Sequence, residues 1–65
     1  MTPGSLVKKR WGRIDPYQVG TCAIYLGPYI EHNLLLAGPL IRVVYPGRKT
    51  EIHKPNEFEV ISERT

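Results

Sequence analysis

With 65 residues, a single cysteine and a net charge of +3, the chain has room for one domain, and Cys22 alone can neither close an internal disulfide nor assemble a metal site. A fold of this size buries only about 60% of the surface its unfolded form exposes, so closing a sheet around one small core is the remaining route to stability. No run approaches the roughly 18 apolar residues of a membrane span, the first residues lack the apolar core of a secretion signal, and the mild positive charge permits an anionic partner without demanding one.

In chain order, Pro3-Gly4 is a turn signal ahead of a first strand over residues 5–11. There Val7 and Trp11 share one face and Leu6 takes the other, so both faces are partly apolar and the register stays open. Asp15-Pro16 marks residues 12–19 as a loop. Residues 20–26 read as a second strand, with Cys22, Ile24 and Leu26 inward and Thr21, Ala23 and Tyr25 outward. Gly27-Pro28 breaks or sharply bends it. Residues 27–39 then form a leucine-rich loop or hairpin insert. Three consecutive leucines do not fit a strand with one wet side, so at least one of Leu34, Leu35 and Leu36 faces outward.

Residues 40–61 carry the clearest pattern. Ile41, Val43 and Tyr45 alternate on one face of a third strand with Arg42 opposite, and Pro46-Gly47 ends it in a tight turn. Thr50-Glu51-Ile52-His53 resumes as a fourth strand, with Glu51 and His53 expected on the outer face. Residues 54–57 are too few for an α-helix, and Pro55 suits a helical first turn, which predicts one turn of 3₁₀ helix. Phe58 and Val60 share a face of a short closing strand. The sum is an all-β single domain over residues 1–65: a small SH3-like barrel of four to five strands with a 3₁₀ turn before the last. An OB-fold ordinarily needs a longer chain and a helix, and an open meander would leave bare edges.

The stretch Pro3-Gly-Ser-Leu-Val-Lys8, the strand opening Val19-Gly-Thr21, the Val-Val-Tyr-Pro-Gly hairpin and Asn56-Glu-Phe-Glu-Val-Ile61 together resemble the small SH3-like barrels of tailed bacteriophages, including phages of cyanobacteria and marine bacteria. A more distant likeness is to the barrel subunits that dock on photosynthetic electron-transfer complexes. The resemblance covers most of the chain outside residues 27–39, and its motifs report fold better than function. It implies a non-enzymatic minor virion protein, a capsid-stabilising or head–tail component. Such a protein would contact shell or tail proteins or further copies of itself, in the virion or in the host cytoplasm during assembly.

Two surfaces are candidates for function. Tyr29, Ile30, Leu34, Leu35 and Leu36 make an apolar set at the barrel edge, suited to a protein partner. Lys8, Lys9, Arg10 and Arg13 around Trp11, with Arg48 and Lys49 in the hairpin turn, suit an acidic partner or nucleic acid, the alternative being a KOW-type nucleic-acid-binding barrel. Four glutamates in the C-terminal part, at 51, 57, 59 and 63, weigh against the second use. His32, His53 and Cys22 are the only candidates for a catalytic base or nucleophile, and no spacing pairs them. No enzyme, metal, cofactor, small-molecule substrate or membrane partner is expected, nor a reader of proline-rich peptides.

Overall fold

The computed structural model describes residues 1–29 and 39–64. Five strands, β1 (Leu6–Lys9), β2 (Ala23–Tyr29), β3 (Leu40–Val44), β4 (Thr50–His53) and β5 (Phe58–Ser62), form one antiparallel sheet in the order β4-β3-β2-β1-β5. A meander from β1 to β4 is completed when β5 returns beside β1, the arrangement of a small SH3-like barrel. Single 3₁₀ turns at Pro16–Gln18 and Pro55–Glu57 lie in the β1–β2 and β4–β5 connections. Each begins with a proline, whose fixed φ suits a first helical position.

The core is Val7, Ala23, Tyr25, Ile41, Val43, Tyr45 and Phe58, with the Tyr17 ring meeting Tyr45 edge-on at 5.5 Å. The third strand alternates as its sequence predicts, and the 3₁₀ turn before the last strand is present. The second strand is turned over. Ala23 and Tyr25 face the core, whereas Ile24 and Leu26 are 40% and 42% exposed. Cys22 lies just before this strand, half-buried. Both alternate sets in β2 are apolar, so its own sequence does not choose a face. Pairing chooses: Val7 opposes Ala23 and Tyr25 opposes Val43, which carries Ala23 and Tyr25 inward together.

The same logic turns β4. Val43 opposes Glu51 and Ile41 opposes His53, so these polar residues lie on the core side, half-buried, while Thr50 and Ile52 are exposed. Nor does β2 stop at Gly27-Pro28. A bulge at Leu26 shifts the register between Tyr25 and Gly27, and the strand continues to Tyr29. Gly27 takes φ 131° there, a conformation that L side chains rarely adopt. Pro28 is tolerated because β1 pairs with β2 only at Ala23 and Ile24; past the bulge β2 has β3 as its sole neighbour among the described residues. In β5 Phe58 is buried but Val60 is 41% exposed, so the closing strand gives the core one side chain rather than two.

Candidate functional site

A polar seam runs across one side of the barrel. The Lys9 side chain is 5% exposed, and its Nζ lies 3.2 Å from Glu57 Oε1 on the second 3₁₀ turn. His53 stands between two carboxylates, with Nε2 2.9 Å from Glu51 Oε1 and Nδ1 3.7 Å from Glu57 Oε1, its ring 5.2 Å from that of Phe58. The Tyr17 hydroxyl donates to Glu51 Oε2 at 2.8 Å, and the Arg48 guanidinium covers the Tyr17 ring at 3.6 Å from its centre. Lys9, Glu57, His53, Glu51, Tyr17 and Arg48 thus form one chain of contacts joining β1, both 3₁₀ turns, β4 and the β3–β4 turn.

The charges follow from this layout. Burial pushes the Glu51 carboxyl upward, but the hydrogen bonds from His53 and Tyr17 and the charge of Arg48 outweigh it and leave it below its ordinary value. Accepting from Tyr17, the same carboxylate raises the Tyr17 hydroxyl. Burial, with the Glu51 charge adding to it, pushes Tyr45 up to about 12. The Tyr45 oxygen is fully buried and meets no partner in good hydrogen-bond geometry among the described residues, the Gln18 side chain offsetting only part of the upward push. The seam fastens irregular segments to the sheet. Among the described residues no group of three His, Cys, Asp or Glu side chains could hold a metal ion.

The basic set falls into two classes. Lys9, Arg13 and Arg48 each face a carboxylate: Glu57 at 3.2 Å, Asp15 at 3.2 Å and Glu51 at 3.8 Å. Lys8, Arg10 and Lys49 make no ion pair among the described residues. Trp11 lies beyond the end of β1 and is 49% exposed, and its indole N–H donates to the Asn56 carbonyl at 2.6 Å. The ring therefore pins the β1–β2 connection to the second 3₁₀ turn. Of the apolar set, Tyr29 is half-buried, with Arg42 5.6 Å over its ring, and Ile30, Leu34, Leu35 and Leu36 lie outside the described residues.

A different apolar surface lies on the outer side of the sheet. Leu6 opposes Ile24 and Ile24 opposes Val44, so these three side chains form a continuous row across β1, β2 and β3. Leu6 and Ile24 are each 40% exposed, and Leu26 at the bulge lies two residues further along β2. Sequence reasoning missed this row because it sent Ile24 and Leu26 inward; the signal available was that both faces of the first two strands carry apolar residues. Two shallow depressions lie elsewhere among the described residues, one lined by Pro39, Lys54, Pro55 and Asn56 and another by residues 47–51 at the β3–β4 turn and the start of β4, and no residue of the row lines either. No family model matches this chain, and no curated protein or solved structure matches it either.

Proposed function

We propose that the chain is a non-enzymatic docking module that holds a folded protein partner against the outer face of its sheet. The observation that carries this reading is the Leu6–Ile24–Val44 row with Leu26 beside it. A 65-residue domain short of core leaves these aliphatic side chains half-exposed and contiguous. Covering such a row returns apolar area to a protein environment at about 25 cal/mol per Å². The partner's binding then adds to the marginal stability of the free domain.

The partner assigned by the resemblance stated above is a shell or tail protein of a tailed phage, with the module built into the particle in many copies. The nucleic-acid reading is the weaker one. Three of its basic residues already face carboxylates, and the Trp11 N–H is engaged. The test is to isolate the native assembly by size and identify its protein components. The binding of the purified component is then measured with the wild-type module and with Ile24→Asp. Loss of binding with an unchanged fold supports the outer face; unchanged binding removes it. Recovery with nucleic acid that is shed as salt rises replaces this reading with the other.

A further inference from the structure

The two edges of the sheet are not alike. β4 is bracketed by Lys49, Lys54 and Pro55, residue types that discourage another strand from pairing. β5 contains neither lysine nor proline and pairs only with β1 among the described residues. Arg10 N–H donates to the Glu57 carbonyl at 2.8 Å, where the β1–β5 ladder begins. Antiparallel pairs alternate every second residue, so Lys8 and Glu59 form the next hydrogen-bonded pair, and Val60, opposite Val7, turns its N–H and C=O away from β1. Its side chain is 41% exposed, and that of Ile61, the extra residue of a bulge, is 50% exposed.

The edge is acidic in sequence, with Glu57 held by Lys9 and Glu59 standing opposite Lys8 in the ladder. Residues 57–64 hold Glu57, Glu59 and Glu63 against Arg64, in a chain whose total is +3. Two copies joined antiparallel through β5 would set Glu57 opposite Glu63 if centred on Val60 and Glu59 opposite Glu63 if centred on Ile61, and like charges directly opposite are destabilising. We infer that the β5 edge is a strand-addition site for an extended segment of a partner protein. That segment carries an aliphatic residue to cover Val60 and Ile61 and a lysine or arginine to meet Glu59. This site is separate from the outer-face row and does not depend on it.

The probe is the peptide Lys-Val-Thr-Val-Lys-Val-Thr-Lys, followed by amide NMR and hydrogen exchange on the full chain. The expected result is slowed exchange of the Val60 amide, with shifts centred on Glu59–Ser62. Val60→Pro removes an N–H that points away from β1 together with the valine side chain the segment covers, and weakens binding at least about tenfold, the scale of one backbone hydrogen bond lost. Ile61→Lys leaves the backbone donor in place and weakens binding through charge, which covers the case in which the proline variant does not fold. Ile24→Asp leaves peptide binding unchanged. Protection of Thr50–His53 instead, shifts centred on Leu6 and Ile24, or no binding at millimolar peptide overturns the proposal. So does concentration-dependent protection of Val60 in the protein alone, which would make a second copy the occupant.

Discussion

The Lys9 ammonium and the Glu57 carboxylate meet at 3.2 Å, with the lysine side chain 5% exposed, so the start of β5 is fixed to β1 by charge as well as by the backbone ladder. Removing one partner of a covered pair costs far more than removing both, because the survivor is left desolvated and uncompensated. Glu57→Ala is expected to lower unfolding free energy by about 3 kcal/mol, whereas Lys9→Met combined with Glu57→Leu recovers most of it. Urea denaturation of Glu57→Ala, the double variant and its two component single variants, Lys9→Met and Glu57→Leu, checks this. An additive double variant would mean that the two side chains do not act as a pair.

The orientation of β2 is tested by neighbours in sequence. Tyr25 is buried and Ile24 half-exposed, so Tyr25→Ala is expected to cost about 4 kcal/mol, while Ile24→Thr costs under about 1 kcal/mol. Thermal unfolding distinguishes them, and the reverse order would restore the face expected from alternation alone.

Burial and pairing explain which parts of the fold were legible in the sequence. The strand over residues 40–45 was readable because only one of its faces is consistently apolar, and the second 3₁₀ turn because Pro55 follows a strand with too few residues for a helix. β2 was not readable from its own residues, since Cys22, Ile24 and Leu26 compete with Ala23 and Tyr25, and register with β1 and β3 decides between them. β4 failed for a different reason. Glu51 and His53 are polar in type, yet register with Val43 and Ile41 turns them inward, where Tyr17 and Glu57, contributed from elsewhere in the chain, meet them. The basic residues were identifiable one by one, but their carboxylate partners were not.

Tyr45 holds its hydroxyl buried without a partner in good hydrogen-bond geometry, so Tyr45→Phe is expected to raise stability by about 1 kcal/mol near neutral pH. Its folded value, pushed up to about 12, lies above that of an unfolded tyrosine, near about 10. Its ionisation therefore leaves stability unchanged below about pH 10 and lowers it as pH rises through about 12. The phenylalanine variant should unfold at higher pH than the parent in an alkaline titration followed by circular dichroism. An unchanged alkaline midpoint would contradict the burial of that oxygen.

At the acid end the sign reverses. Glu51 is held below its ordinary carboxylate value, so its contribution is present above the unfolded value and lost as pH falls through the folded one. Glu51→Gln is expected to flatten the acid limb of the stability profile, and a slope equal to that of the parent would count against the Tyr17–Glu51–His53 contacts.

Gly27 occupies φ 131° with open space where a Cβ would stand, so only backbone strain opposes a side chain there. Gly27→Ala is expected to cost about 1–2 kcal/mol through that strain. Equal stability of the two proteins in urea would show that the bulge accommodates an ordinary residue.

The most direct test of docking through the outer face is the mass of the native assembly, with wild-type and Ile24→Asp chains compared side by side by light scattering on a sizing column. The account predicts that the wild type travels in a complex with a stoichiometric protein partner, while the variant runs as a folded 7.4 kDa monomer with the same circular dichroism spectrum. A variant that stays in the complex, or a wild type that is monomeric beside every other component of its source, would contradict it.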